Sequence, residues 1–168
     1  MSDLTVQEIG KNLNLNTVTF RGGCLTGENH SGVELHGFLS YLIKCIFKKK
    51  KYKVFGYKGK QVRDNIHSSD LINCFWHYFK NPTNGEIYNI GGGRKNSCSI
   101  LEVINFFKEN YNLSISLEFF NENRTGDHLW WITDYTKFQK HFPKWNIKYK
   151  LDDIFNKIAK YEITNNFK

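Results

Sequence analysis

The sequence predicts a mixed α/β or α+β fold with some parallel strand pairing. Three observations carry that reading. Strand-like and helix-like apolar runs alternate along the whole chain, turn residues bound most of them, and no internal repeat interrupts the order. At 168 residues the chain suits one domain and is long enough to bury a core.

Residues 2 to 13 read as a helix with Val6, Ile9 and Leu13 on one side, and "TVTF" at 17 to 20 as a strand ending in the turn-rich "RGGCLTGENHSG". A helix is predicted over 33 to 47, with Leu35, Phe38, Leu39, Leu42 and Ile46 at i, i+3, i+4 spacing. Two short strands follow, "YKVFGY" and "QVRDNIH", joined by a turn at Lys58-Gly59-Lys60. Ser69 or Asp70 caps the next helix, whose buried stripe is expected to be Ile72, Phe75, Trp76 and Phe79, and Asn81-Pro82 stops it. Then come the strand "EIYNI", three glycines and a helix opened by the capping box Ser99 to Glu102. The strand "ISLEFF", the aromatic segment "DHLWWITDYTKFQKHF" and an amphipathic helix from about Leu151 complete the order.

No apolar run approaches the roughly 20 residues that span a bilayer, and "MSDLTVQEIG" has no basic-then-apolar signal pattern, so no membrane partner is expected. Cys24, Cys45, Cys74 and Cys98 are too widely spaced for an ordinary zinc site and are read as reduced thiols in a cytoplasmic protein. The net charge of +8 fits anionic ligands, nucleic acid or mere solubility. Its densest cluster, Lys48 to Lys51, follows a helical run, where a helix C-terminus welcomes cations. No nucleic-acid-binding motif accompanies the charge, so a basic nucleic-acid-binding domain is the lesser reading.

"EIYNIGGGRKNSCSILE" invites comparison with a dinucleotide-binding loop. Gly91 and Gly93 fit G-x-G-x-x-G, but Asn96 stands at the third place and no acidic residue is well placed about 20 residues on. The glycines are read as a strand-to-helix turn. "QVRDNIH" carries a clearer signal, because alternation puts Arg63, Asn65 and His67 on one strand face. An arginine fork there could hold phosphate, or Arg63 could form an exposed edge pair with Asp64. In "NENRTGDHLWW", Arg124 and Asp127 bracket a Thr-Gly turn that either closes over a ligand or is held by a local ion pair.

Taken in order, "RGGCLTG", "HGFLSYL", "VFGYKGKQVRDNIHSSD", "GEIYNIGGG" and "RTGD" resemble the C-terminal part of the extended short-chain dehydrogenase/reductase nucleotide-sugar enzymes. Within them the likeness is greatest to the CDP-paratose (CDP-tyvelose) 2-epimerases. The resemblance implies the last parallel strands of a Rossmann-like lobe plus a small α/β substrate-binding lobe. Residues 1–24 would be the Rossmann remnant and 25–168 the substrate lobe, with 86–93 returning to the Rossmann sheet. It implies NAD as cofactor and a nucleotide sugar as ligand, a CDP-sugar favoured. Arg63 and Arg124 would hold the diphosphate, Phe55 would lie beside the base and His36 near the phosphates. Gly22, Gly23 and Cys24 would line the junction of cofactor and sugar.

Two departures stand out. Glu28 occupies a place where the family usually has proline, which removes a fixed φ. None of the nine tyrosines has a lysine four residues on, so the family's Tyr-x-x-x-Lys pair is missing and no catalytic residue is assigned within the 168 residues. The expectation is a C-terminal part, beginning just downstream of that pair and inactive alone. A separate N-terminal Rossmann chain as partner, or a homo-oligomer, is left open. So is membership of another sugar-nucleotide epimerase or dehydratase group.

Overall fold

The computed structural model describes residues 2–34 and 36–166, so Leu35 of the expected helical stripe lies outside the described residues. In chain order the elements are α1 (Ser2–Asn12), β1 (Val18–Gly22), β2 (Cys24–Thr26), α2 (Phe38–Phe47), β3 (Tyr52–Phe55), β4 (Val62–His67), α3 (Ser68–Lys80) and β5 (Glu86–Ile90). There follow β6 (Ser97–Ser99), α4 (Ile100–Tyr111), β7 (Leu117–Phe120), β8 (Trp130–Trp131), α5 (Thr136–His141) and α6 (Leu151–Asn166).

Among the described residues, three small sheets organise these elements. β1 and β5 pair in parallel, Val18 opposite Glu86 through Gly22 opposite Ile90. β3 and β7 pair in parallel, with Phe55 opposite Phe120. β4 is central to the third sheet: it runs parallel to β2 through Asn65–His67, antiparallel to β6 through Val62–Asp64, and parallel to β8 at Val62 and Arg63. Thus β3 and β4, adjacent in sequence, belong to different sheets, and a short 3-10 turn at Tyr57–Gly59 separates them. The expected division at residue 24 falls within β2.

Two apolar clusters form the core. One gathers α2, α4 and α6 around Leu42, Val103, Phe107 and Ile154. The other packs Tyr88 and Ile90 of β5 against Ile66, Cys74, Phe138 and Trp145. α4 begins where the capping box predicts: Ser99 Oγ accepts from Glu102 N at 3.2 Å, and Glu102 Oε2 accepts from Ser99 N at 2.7 Å. Two backbone donors at the helix start are satisfied together. Lys48 is the C-cap of α2, so the lysine cluster does begin at a helix C-terminus.

Several expectations are corrected. Residues 21–26 are extended rather than turn-like, because both β5 and β4 offer ladder partners to them. α2 starts at Phe38, five residues late: Gly37 sits at φ 72°, outside the helical region, and Val33 and His36 form a small antiparallel bridge instead. The cap of α3 is neither Ser69 nor Asp70. His67 Nδ1 accepts from Ser69 N at 3.2 Å, while both Asp70 oxygens accept from Lys148 N and Tyr149 N at 3.1 Å. The expected buried stripe of α3 is also reversed. Ile72, Phe75, Trp76 and Phe79 are 43–72% exposed, and Asp70, Cys74 and Tyr78 are buried. α3 does carry an apolar face through Ile72, Phe75, Trp76 and Phe79, but the face that docks runs through Asp70, Cys74 and Tyr78, with Asp70 held by the Lys148 and Tyr149 backbone. Likewise Ile9 and Leu13 of the first helical run are exposed, and α1 docks through buried Gly10. A Cβ there would come 2.2 Å from Thr17 Oγ1 and 2.4 Å from Gly85 N.

Candidate functional site

β4 delivers Arg63 to the site, with 13% of its side chain exposed. Its Nη1 donates to Val62 O at 2.7 Å, and its Nη2 is ion-paired with Asp127 Oδ1. Asp127 is brought there by a turn in which its N–H donates to Arg124 O at 3.0 Å, with Gly126 at φ 76°. Asp127 Oδ1 also accepts from His128 N, and its Oδ2 is buried without a hydrogen-bond partner among the described residues.

This settles two alternatives. Arg63 does not form a solvent-exposed pair with Asp64: Asp64 is fully buried and its Oδ2 accepts from Gly93 N at 3.0 Å. Nor do Arg124 and Asp127 make a local ion pair. Arg124 Nη1 instead donates to Glu34 O at 3.3 Å, and its guanidinium carbon lies 5.5 Å from the centre of the Phe55 ring.

Arg63, Arg124, His36 and Cys24 line one cleft of about 170 Å³, together with Gln61 and Asp127. Glu34 and Gly37 contribute from the loop before α2. An adjoining hollow of about 380 Å³ shares Cys24 and His36 and continues past His30 and Asn65. Ligand pockets usually enclose roughly 300–1,000 Å³, so the first cleft alone falls short of that range and the two together reach into it. Asp127 neutralises Arg63, while among the described residues Arg124 finds a carbonyl acceptor and no carboxylate. Its guanidinium therefore leaves the cleft with cationic character suited to an anion.

The other expected residues divide. Phe55 stacks on Phe120, ring centres 5.0 Å apart and 17° between planes, and stands beside Arg124. His67 does not face the cleft as strand alternation suggested. It is 1% exposed, caps α3, and its Nε2 lies 2.8 Å from Glu28 Oε2. Asn65 Nδ2 is bonded to Arg63 O at 3.1 Å. Burial, reinforced by the charge of Asp64 and opposed by Arg63, pushes the Cys24 thiol up to about 11, so it is a thiol at neutral pH and a poor nucleophile. Burial and the neighbouring His36 push His30 down, and the two rings meet edge to face at 5.8 Å.

Among the lining residues the sequence did not mark, two are polar or charged, Gln61 and Glu34. Gln61 is 6% exposed; its Nε2 donates to Phe55 O at 3.3 Å and its Oε1 has no partner among the described residues. It stands two residues before Arg63, so strand alternation could have marked it. Glu34 could not have been marked, because the loop that carries it reads as helix.

The triple glycine is a turn packed against β4. A Cβ on Gly91 would lie 2.2 Å from Asp64 Oδ2, and one on Gly92 would lie 2.0 Å from Asn65 O. With the Gly93 N–H already given to Asp64, the loop is filled by protein rather than shaped as an open phosphate cradle. At the ends of β1 and β5 the situation differs. A Cβ on Gly22 would meet nothing within 4 Å, and Gly22 borders a cleft of about 720 Å³ with Asn89, Trp131 and Thr133. Gly23 turns inward: a Cβ there would come 2.9 Å from both Asp64 Oδ1 and Thr133 Oγ1, so packing within the chain accounts for that glycine.

A model of the NAD dependent epimerase/dehydratase family matches residues 1–91. The CDP-paratose 2-epimerase of Salmonella typhi is 28% identical over 152 residues, covering 86% of this chain and 44% of that protein. Among solved structures, the UDP-glucose 4-epimerase of Thermus thermophilus, a complex with NAD, superposes with TM-score 0.82 at 16% identity, over 96% of this chain and 51% of that one. The UDP-glucuronic acid 4-epimerase of Bacillus cereus, in complex with UDP-glucuronic acid and NAD, gives 0.77 at 24% identity, over 92% and 48%. At these identities the structural likenesses show the fold, which is the Rossmann-like epimerase/dehydratase fold. The chain spans about half the length of the relatives it matches.

Proposed function

This chain belongs to the NAD dependent epimerase/dehydratase family, whose cofactor is NAD, and from that premise we propose that it is the nucleotide-sugar-gripping part of a sugar-nucleotide epimerase. CDP-paratose, converted to CDP-tyvelose, is the favoured substrate of the complete enzyme. The observation that carries the reading is the convergence of Arg63 and Arg124 on one cleft from segments far apart in sequence. Two guanidinium groups suit a diphosphate, whose oxygens accept from guanidinium N–H donors. Residues 1–24 then belong to the cofactor lobe and 25–168 to the substrate lobe, with 86–93 returning to the sheet of the first.

In this assignment Arg124 supplies the cation available to the diphosphate, and Arg63, fixed and neutralised by Asp127, supplies rigid N–H donors beside it. The buried Gln61 Oε1 accepts a hydroxyl or amine of the ligand. His36 lies beside the phosphates, and Cys24, kept protonated, packs against the sugar. The open backbone at Gly22 and the cleft beside it fit the edge of a flat cofactor ring; Gly23 packs behind it against Asp64 and Thr133. NAD supplies reversible hydride transfer when bound, so inversion at a sugar carbon leaves no net redox change. These side chains orient the sugar for that transfer. None of them is placed to move the proton, and the absence of a Tyr-x-x-x-Lys pair predicts no turnover by these 168 residues alone.

Calorimetry with CDP, UDP, GDP and dTDP tests the reading. Binding of at least one nucleoside diphosphate, lost in Arg124→Met, is expected, with CDP tightest. A preference for UDP would move the assignment to another epimerase group, and epimerisation by the purified chain would remove the claim of inactivity.

A further inference from the structure

Glu34 stands at a corner that the proposed diphosphate grip does not use. Lys53 and Phe55 are two residues apart on β3 and so share a strand face. Glu34 Oε1 lies 3.1 Å from Lys53 Nζ, which brings the carboxylate over that face. The same face carries the Phe55–Phe120 stack. Arg124 joins the two features, since it donates to the Glu34 carbonyl and lies over the Phe55 ring. Glu34 and Arg124 line the same cleft, and the Phe55 ring stands beside it under the Arg124 guanidinium. With Oε1 paired to Lys53, Glu34 Oε2 has no hydrogen-bond partner among the described residues.

We infer that Glu34 selects the base of the bound nucleotide by accepting a hydrogen bond from an exocyclic amine, an inference that rests on the nucleotide-sugar reading. A nucleotide whose diphosphate meets Arg124 and whose base lies beside Phe55 turns a base edge toward Glu34. A carboxylate accepts hydrogen bonds and donates none when ionised. Cytosine offers N4–H₂, a donor; uracil offers O4 at the same place, an acceptor that a carboxylate repels. Adenine shares the donor through N6–H₂, so ADP distinguishes the amine from the rest of the ring. The carboxylate thus discriminates by charge and hydrogen-bond polarity rather than by size.

The test is calorimetry of the 168-residue chain with CDP, UDP and ADP, on the native sequence, Glu34→Gln and Lys53→Met. The native chain should favour CDP over UDP by about tenfold, the worth of one charge-assisted hydrogen bond. In Glu34→Gln the ratio should fall toward one, with CDP weaker and UDP no weaker, because an amide can donate to O4. Lys53→Met, which removes only the ion pair, should retain the preference. ADP binding near CDP would support amine recognition; ADP binding as poorly as UDP would assign it to cytosine alone. An unchanged CDP/UDP ratio in Glu34→Gln overturns the role of Glu34 while leaving the nucleotide-sugar site standing. Failure of every nucleoside diphosphate to bind the native chain overturns both.

Discussion

Arg63 and Asp127 lie 64 residues apart in the chain and form an ion pair whose side chains are only 13% and 12% exposed. The pair ties the central strand β4 to the turn before β8, and so fixes both the position of Arg63 and the path of the segment bearing Arg124. Removing one partner leaves a largely buried charge uncompensated. Asp127→Ala should therefore destabilise the chain by about 3 kcal/mol, read as a lowered urea midpoint at unchanged slope. A loss below about 0.5 kcal/mol would mean that the pair is solvated and weak.

Arg124 should behave in the opposite way. Its contacts are one bond to a carbonyl and one ring face, and it is half-buried. Arg124→Met is expected to change stability by less than about 1 kcal/mol, yet to weaken nucleoside diphosphate binding by about tenfold or more. Melting curves and calorimetry on the same preparation separate the two effects.

Glu28 links the loop before α2 to two other elements, with Oε2 at 2.8 Å from His67 Nε2 and Oε1 at 3.2 Å from Lys157 Nζ. Burial opposes its ionisation, but hydrogen bonds from the backbone, His67 and Lys157 outweigh that and hold the carboxyl down at about 2, against an ordinary 4.5. Because the folded value is depressed, the stabilisation is fully present above 4.5 and fades as pH falls from there toward about 2. Urea midpoints recorded across this window should decline more steeply for the native chain than for Glu28→Gln. Parallel curves would show that Glu28 titrates alike in both states.

Glycine substitutions distinguish a packed turn from open backbone. In Gly92→Ala the new methyl would lie 2.0 Å from the Asn65 carbonyl, a main-chain atom that cannot swing aside, so the melting temperature should collapse. Gly22→Ala meets nothing within 4 Å and should leave stability within about 0.5 kcal/mol of the native chain. Equal tolerance at both positions would contradict the packing of the triple glycine on β4.

Phe79 tests the reversal of α3. At 72% exposure, Phe79→Ser should cost less than about 1 kcal/mol, whereas burying this ring would make truncation cost about 3–5 kcal/mol. The urea midpoint again decides.

Much of this was legible in the chain itself. The capping box named the start of α4, because both partners lie within one turn and need no distant neighbour. Alternation around Arg63 and the Arg-Thr-Gly-Asp turn named two segments that do meet, and the defective glycine pattern named a turn. What failed shares one cause. His67 followed the strand period but was claimed by the start of α3 and by Glu28. Glu34 lay in residues whose helical spacing was overridden by the left-handed Gly37.

The sequence by itself determined where strands and helices alternate and which arginines were available, since backbone periodicity and capping are properties of a few adjacent residues. Only the tertiary structure decided which carboxylate holds Arg63 and which side of α3 is buried. It alone decided that Glu34 meets Phe55 through Arg124. Those outcomes depend on which distant surface reaches a side chain first, and charge and hydropathy patterns along one strand or helix carry no record of it.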